Sequence, residues 1–256
     1  MSSRVRVVAA IEEYRAAAEG LPFTAELVDR PAGALVVIDG RHEWWLGAEE
    51  AAAAGASAVL IVEPVDAPAR DIAELAERLE VPAIVSRARL RHDLVTAAIA
   101  RRGGAVPRVL VAECAAERVQ LPAMVRDAVG WLRELSGAPL RVASASMSGI
   151  GGAAMVRVQD TGLVGSLVIT AANLGGGVLR VQALGETRTE VEIDEPMSKV
   201  SLSTSTGEGR LVDPVLFETP ERATLRRALH AAAERRATRD LLDLRHDLEI
   251  AHEILD

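Results

Sequence analysis

Lysine, cysteine and aromatic residues are scarce in this chain of 256 residues. Lys199 is the only lysine, so almost all positive charge is carried by arginine. Cys114 is the only cysteine, which excludes an internal disulfide and a cysteine-based zinc site. No apolar run approaches the roughly 20 residues of a membrane-spanning helix, and the N-terminal segment lacks the apolar core of a signal peptide. We therefore expect a cytoplasmic protein with no membrane partner.

The charge balance is acidic, with a formal net charge of −8 at pH 7. An acidic chain without a dense arginine stripe is a poor partner for nucleic acid or for an anionic membrane. The length is sufficient for one large domain or two modest ones, each with its own core.

The first part of the chain alternates short apolar runs with helical segments. Strands are predicted at 5–9, 24–28, 35–38, 58–62 and 81–85, and helices at 11–19, 42–54, 69–79 and 90–101. Strands that alternate with helices of this length predict a parallel sheet with right-handed crossovers.

After Pro107 the pattern changes to strand-like runs joined by glycine turns. The runs are 109–113, 140–147, 155–159, 163–171, 178–184 and 188–193, with a helix at 121–135. The polar, small-residue segment 198–209 predicts a mobile loop, and 219–255 is mostly helical. We expect an α/β fold with a parallel-sheet domain over 1–106, then an α+β domain over 107–256 with a large, mostly antiparallel sheet.

Several of these segments, in this order, resemble one enzyme family. They are residues 34–38, a helix that ends at Gly55, residues 59–64, residues 81–85 and the aspartate-led helix at 127–132. Together they resemble the glucose–fructose oxidoreductase, inositol dehydrogenase and rhizopine catabolism (Gfo/Idh/MocA) family. The resemblance implies a reduced Rossmann-like domain, NAD(P)-dependent oxidation of a sugar or polyol, and a C-terminal sheet that forms oligomers.

The chain departs from this family where the cofactor's diphosphate would bind. A dinucleotide site needs a glycine-rich turn before the first helix, and the segment 10–15 has none. Glu12 and Glu13 stand there instead, and one such charge at ~6 Å costs about 3 kcal/mol at an effective dielectric constant of ~20. Asp29 resembles the acid that binds the cofactor's ribose, but without the glycine loop an ordinary strand-end aspartate is the favoured explanation.

The residues of the redox reaction are also replaced. The family's lysine aligns with Glu63, and its aspartate and histidine align with Gln120 and Met124. Glutamine and methionine cannot accept the hydroxyl proton of an alcohol near neutral pH. The remaining candidates for a ligand cleft are Glu63, Arg87, Arg89 and Asp127.

Two further motifs have ordinary structural explanations. The segment 149–154 matches G-x-G-x-x-A, but it lies between two strands and predicts a turn. His246, Glu249 and His252 suggest a metal site, although their spacing is equally that of a solvated helix face, and we expect no metal.

These losses predict a pseudoenzyme without a cofactor, which serves as a structural or regulatory subunit or binds a small polar ligand. The alternative is an active oxidoreductase that uses NAD or NADP to oxidise a sugar or polyol. A third reading is metal-assisted chemistry at Glu63. Apolar residues in the sheet at about 155–193 predict a homodimer, or a heteromer with an active relative, through its uncovered face.

Overall fold

The computed structural model describes residues 4–214 and 218–256, which form two compact units. The first contains the described residues up to Arg91 and from 218 to Arg245, and the second contains the described residues from His92 onwards and His246–Asp256. Residues 1–3, on which part of the signal-peptide prediction rests, lie outside the described residues. Within those ranges, no helix has the length and apolar character needed to cross a membrane.

The first unit is built on a five-stranded parallel sheet. Its strands are β1 (Val5–Ala9), β2 (Ala25–Leu27), β3 (Ala34–Asp39), β4 (Ala58–Val62) and β5 (Ala83–Ser86), in the order β2-β1-β3-β4-β5. The strand order reverses between β1 and β3. In open parallel sheets, ligands bind beyond the carboxyl ends of the strands at such a reversal.

The helices of the described chain follow the predicted segments closely. In chain order they are α1 (Glu12–Glu19), α2 (Trp44–Ala53), α3 (Ala69–Arg78), α4 (His92–Arg102), α5 (Leu121–Ser136), α6 (Pro220–Glu234) and α7 (Asp240–Leu255).

In the first unit, α1 and α6 share one hydrophobic core with the parallel sheet. Val7 and Leu60 of the strands lie in this core with Leu225 and Leu229 of α6. The intervening positions Val59 and Ile61 are also fully buried. Because side chains alternate between the two faces of a strand, both faces of this sheet are covered, as is usual for parallel sheets.

The second unit contains an eight-stranded sheet. Its strands are β6 (Val109–Ala116), β7 (Leu140–Ser148), β8 (Gly151–Val158), β9 (Val164–Ala171), β10 (Val178–Leu184), β11 (Arg188–Asp194), β12 (Lys199–Thr206) and β13 (Gly209–Val212). The order is β13-β12-β11-β10-β6-β9-β8-β7, in which only the pair β6–β9 is parallel. The predicted fold class is therefore confirmed.

One face of this second sheet is covered by helices. Helix α5 packs against β6, β9 and β10, while α4 packs against β11 and β12. In β6 the alternate residues Leu110, Ala112, Cys114 and Ala116 are buried. The residues between them are exposed or half-buried, which leaves the other face open.

The prediction of a mobile loop at 198–209 is wrong, because β12 and β13 occupy most of this segment. Val191 of β11 pairs with Leu202 of β12, and α4 covers this part of the sheet. The alternation of Val200, Leu202 and Thr204 carries the strand signal, which the many serine and threonine residues obscured. At 149–154, by contrast, a turn leads into β8, as expected.

The division into units differs from the ranges predicted from sequence, 1–106 and 107–256. Helix α4 packs on the second sheet, so the second unit begins at His92. Helix α6 packs on β1, β3, β4 and β5, so the chain returns to the first unit near its end. Both differences arise from packing between residues that are distant in sequence.

Candidate functional site

The carboxyl ends of β3 and β4 are held together by the chain around Gly40. The N–H of Gly40 donates to the carbonyl of Val62 (2.8 Å), and the N–H of Val65 donates to the carbonyl of Gly40 (2.8 Å). A side chain at position 40 would place its Cβ 2.4 Å from the Val62 oxygen and 2.5 Å from the Pro64 Cα. Only glycine permits this approach, which fixes the loop that carries Glu63.

Glu63 is held in an unusual backbone conformation directly after β4. Its φ is +49°, in the left-handed region that a residue with a Cβ rarely adopts. Its N–H donates to the carbonyl of Ser86 at the end of β5 (2.9 Å), and its carboxylate accepts a hydrogen bond from the N–H of Ala88. Strained residues held by their surroundings are frequent at active sites, so this outlier marks Glu63 as a functional candidate.

A buried tyrosine completes this group of residues. Tyr14 of α1 is 3% exposed, and its hydroxyl donates to Ser86 Oγ (2.8 Å). Burial raises the pKa of Tyr14 to about 12, and the negative charges of Glu221 and Glu63 add to the effect against the hydrogen bonds of Ser86 and Thr224. The phenol is therefore protonated throughout the physiological pH range.

Sequence reasoning identified Glu63 but missed Tyr14 and Ser86. They are 72 positions apart, so only the fold brings them together. The available signal was that Ser86 ends a parallel strand and that Tyr14 is the only tyrosine of the chain.

The arginines predicted near Glu63 lie on the loop that follows β5. Arg87 is buried and Arg89 half-buried, on either side of Ala88, whose N–H binds the Glu63 carboxylate. Arg91 is also buried, and its guanidinium donates to the carbonyl of Glu218 (3.1 Å). The structure thus places the loop 87–89 beside Glu63, at the carboxyl ends of β4 and β5.

The other predicted site residues belong to the second unit. Asp127 has no exposed surface, and its Oδ1 accepts from the Nε of the equally buried Arg126 (2.9 Å). Met124 is also fully buried, in α5. A carboxylate enclosed and paired in this way has no surface to offer to a ligand.

Gln120 is the remaining replaced position, and it immediately precedes α5. Its side-chain Oε1 is buried and has no hydrogen-bond partner among residues 4–214 and 218–256. A buried amide oxygen accepts a hydrogen bond from a hydroxyl or N–H group but cannot take up a proton near neutral pH.

The start of α1 does not reproduce a phosphate-binding turn. Ile11 precedes the helix without a side-chain cap, and Glu12 and Glu13 occupy its first turn. These carboxylates oppose an anion at the helix N-terminus. Asp29, exposed just beyond β2, fits the ribose of a dinucleotide, so the residues present fit one part of such a cofactor and not the diphosphate.

The loop that follows β3, also at the strand reversal, contains a close ion pair. The guanidinium of Arg41 donates to both carboxylate oxygens of Asp39, with Nε at 2.9 and 3.0 Å. This hydrogen bond, more than any other cause, lowers the pKa of Asp39 to about 2. The same hydrogen bond and the charge of Asp39 raise the pKa of Arg41, and the charge of Glu13 adds a smaller contribution.

The first histidine of the suggested metal site, on α7, makes a structural hydrogen bond. His246 Nε2 accepts from the N–H of Leu140 (3.0 Å), and within the two described ranges no three His, Cys, Asp or Glu residues are grouped as metal ligands.

The fold matches solved oxidoreductase structures over almost its whole length. A UDP-N-acetylglucosamine 3-dehydrogenase from Acidithiobacillus ferrooxidans has a TM-score of 0.70 at 16% identity, and the match covers 98% of this chain and 96% of that one. An oxidoreductase from Sinorhizobium meliloti has a TM-score of 0.73 at 14% identity, covering 96% and 95%. A 3-ketoreductase from Actinomadura kijaniata, in complex with TDP-benzene and NADP, has a TM-score of 0.67 at 13% identity, covering 98% and 97%.

The sequence itself gives no comparable match. No family model matches it, and no curated protein sequence matches it significantly. The chain therefore shares its fold with Gfo/Idh/MocA-type oxidoreductases, and the shared fold is the extent of the observed likeness.

These comparisons contradict the predicted pseudoenzyme and the predicted absence of a cofactor. The match extends over 98% of the chain to catalytic sugar dehydrogenases and ketoreductases, one of them with NADP bound. The sequence prediction was wrong because it treated each replaced residue as a loss. The shared fold favours the alternative, an active oxidoreductase.

Proposed function

We propose that this protein is a nicotinamide-dependent oxidoreductase that interconverts a hydroxyl and a ketone on a sugar. The observation that carries the proposal is Glu63, a strained carboxylate at the carboxyl end of a parallel strand near the order reversal. The structures that share the fold include a 3-dehydrogenase named for UDP-N-acetylglucosamine and a 3-ketoreductase with bound TDP-benzene. A sugar linked to a nucleoside diphosphate is therefore the first substrate class to test. Membership of the Gfo/Idh/MocA family is part of the proposal.

Glu63 supplies the acid–base half of this chemistry. When a secondary alcohol becomes a ketone, its C–H bond breaks with both electrons and its O–H bond loses a proton. A nicotinamide cofactor would supply the hydride acceptor, and the carboxylate of Glu63 would accept the proton. In the reverse direction protonated Glu63 returns the proton to the oxygen. The hydrogen bond from Ala88 fixes the carboxylate for this transfer.

The arginines beside Glu63 provide positive charge. Arg87 and Arg89 flank Ala88, so they lie near the carboxylate and suit an anionic group of the substrate, such as a phosphate. Because their guanidinium groups do not lose their protons, the two arginines would orient the substrate and neutralise its negative charge. The proton transfer would be carried out by Glu63.

Asp29 is the residue that would hold the adenosine ribose of the cofactor. An acid at the end of the second strand suits the free 2′-hydroxyl of NAD better than the 2′-phosphate of NADP. Because Glu12 and Glu13 face the diphosphate position, we expect weaker cofactor binding than a glycine-rich turn gives.

We also propose a homodimer through the open face of the second sheet. On this face Arg141 of β7 lies directly opposite Arg157 of β8, while Glu190 and Glu192 lie on β11. Like charges directly opposite each other are unfavourable within one sheet. A second copy turned by a two-fold axis along the strands sets Arg141 and Arg157 of one sheet near Glu190 and Glu192 of the other, which also pair with Arg188 and Lys199 of their own sheet.

Exposed apolar side chains on this face support the dimer. Val109 of β6 and Val168 of β9 lie between the strands that carry these charges, and Met155 lies on β8 with Arg157. Light scattering at micromolar concentration tests the assembly, with Arg157→Glu expected to shift the protein towards monomer. A wild-type monomer under these conditions contradicts the dimer. The cytoplasmic location stays a prediction from sequence.

Two measurements test the proposed reaction. Calorimetry with NAD, NADP and their reduced forms should show saturable binding of at least one of them. When nucleotide sugars and free sugars are then added one at a time, the absorbance of reduced nicotinamide should rise with the wild-type protein and not with Glu63→Gln. Saturable binding without reduction by any compound, at high enzyme concentration, contradicts the proposed substrate class, and absence of binding contradicts the cofactor.

A further inference from the structure

Two hydrogen bonds connect Tyr14 to Glu63 through Ser86. The Tyr14 hydroxyl donates to Ser86 Oγ (2.8 Å), and the Ser86 carbonyl accepts from the N–H of Glu63 (2.9 Å). The three residues come from α1, the end of β5 and the turn after β4. This connection therefore ties the strained turn to two separate elements of the first unit.

The turn at Glu63 needs such support. A glutamate at φ +49° is in a conformation that an unconstrained chain seldom adopts, so neighbouring contacts must hold it there. If Ser86 shifts, the N–H of Glu63 loses its acceptor and the carboxylate moves with the backbone. A displacement of about 1 Å at a proton-transferring group lowers catalytic rates by up to a hundredfold.

We propose that Tyr14 and Ser86 are positioning residues, which fix the Glu63 carboxylate in the geometry that proton transfer requires. This inference rests on the proposed oxidoreductase function. Neither residue needs to touch the substrate, because both act through the backbone of the turn.

The charges around Tyr14 are consistent with this role. Glu63 lies towards it from the β4 turn and Glu221 from α6, and both raise the pKa of Tyr14, after burial. A phenol that stays protonated donates its hydrogen bond at every pH at which Glu63 can accept or release a proton. The support is therefore constant while the carboxyl group titrates.

The test compares Tyr14→Phe and Ser86→Ala with Ser57→Ala. Tyr14→Phe keeps the buried ring and removes only the hydroxyl, and Ser86→Ala removes its acceptor. Ser57 precedes β4 at the opposite end of the strand, and its Oγ is buried without a hydrogen-bond partner among the described residues. Its removal is therefore a matched control.

We expect Tyr14→Phe and Ser86→Ala to lower kcat by roughly tenfold to a hundredfold, with KM changed less than threefold or so. The pKa of the acidic limb of the pH–rate profile, which reports Glu63, should shift in both variants and remain unchanged in Ser57→Ala.

Hydrogen exchange at the Glu63 amide gives a readout without a substrate. Faster exchange in Tyr14→Phe and Ser86→Ala, with wild-type exchange in Ser57→Ala and native circular dichroism throughout, supports the positioning role. Unchanged exchange at Glu63 in both variants overturns it. If the wild-type protein reduces no nicotinamide, the proposed function fails, and this exchange experiment still decides whether Tyr14 and Ser86 hold the turn.

Discussion

The two units of this protein use their charged residues differently. In the first unit the strained Glu63 lies at the carboxyl end of β4, and its carboxylate accepts a hydrogen bond from the backbone of the loop after β5. In the second unit the enclosed charges are paired inside the structure. Arg133 binds both carboxylate oxygens of the fully buried Asp247, at 2.8 and 3.0 Å, and Arg126 binds Asp127. We infer that carboxylates at the strand ends serve chemistry, whereas those enclosed around α5 and α7 serve stability.

Replacement of Glu63 should give the largest effect on activity. Glu63→Gln keeps the size of the side chain but removes the proton acceptor, so kcat should fall by about 10²- to 10⁴-fold. Steady-state kinetics measure the loss. Glu49→Gln on α2, which removes an exposed ion pair with Arg78 of α3, should stay within about twofold and serves as the control. Equal losses in the two variants would contradict the assigned role of Glu63.

Replacement of Arg133 should give the largest effect on stability. Arg133→Met leaves Asp247 buried and charged without its bidentate partner, which should lower the free energy of unfolding by about 3–5 kcal/mol. Urea denaturation measures the change. Arg108→Met, which removes an exposed ion pair with Glu186 in the same unit, should change it by less than about 0.5 kcal/mol. A large loss of kcat in Arg133→Met with unchanged stability would contradict the inference that the enclosed charges of the second unit serve stability.

Removal of the α1 carboxylates should strengthen cofactor binding. The double variant Glu12→Gln, Glu13→Gln removes the charges that oppose the diphosphate, and exposure to solvent reduces the expected gain to about tenfold in affinity. Calorimetry with the preferred nicotinamide dinucleotide measures it. Glu19→Gln, in the last turn of the same helix, should change affinity little. No gain in the double variant would place the diphosphate away from the start of α1.

The smallest predicted effects are on the pH dependence of stability. They arise from Tyr14 in the first unit and Cys114 in the second, the only tyrosine and the only cysteine of the sequence. Burial raises the pKa of Tyr14 to about 12 and that of Cys114 to about 12. The folded state thus favours the protonated groups, so their contribution to stability is complete below the unfolded pKa values, near 10 and 8.5, and is lost as the pH rises towards about 12.

Tyr14→Phe should remove the first of these contributions. Between about pH 10 and 11, the free energy of unfolding of the wild-type protein should fall by on the order of 1 kcal/mol more than that of Tyr14→Phe. Cys114→Ala provides the equivalent test for the second unit, beginning about one and a half pH units lower. Parallel pH profiles for wild type and Tyr14→Phe would show that Tyr14 ionises as easily in the folded protein as in the unfolded one.

Much of the fold could be predicted because its signals are local. Apolar runs such as 58–62 and glycine-terminated helices gave the parallel sheet, and the glycine turns gave most of the antiparallel one. The strand β12 could not be recognised from its composition, since its serines occupy half-buried and buried positions alike, as at Ser201 and Ser203. Helix α6 joins the first unit through Leu225 and Leu229, whose partners lie far away in sequence.

The site was only partly predictable for the same reason. Glu63 could be found because it follows a buried strand, but its left-handed backbone depends on contacts with Ser86 and Gly40. Tyr14 reaches Ser86 only after α1 has packed on the sheet. Asp127 was selected by resemblance, and the structure encloses it with Arg126. A sequence pattern locates a strand end, but it does not show which side chains the fold gathers there.

Single-turnover hydride transfer tests the central claim most directly. Wild-type protein in excess over NAD or NADP, mixed with a panel of nucleotide sugars, should produce reduced nicotinamide with at least one compound. Glu63→Gln should bind the same cofactor and produce it far more slowly. If the wild-type protein binds the cofactor and reduces none of it with any of these sugars, or if Glu63→Gln reacts at the wild-type rate, Glu63 is not the centre of a sugar oxidoreductase site.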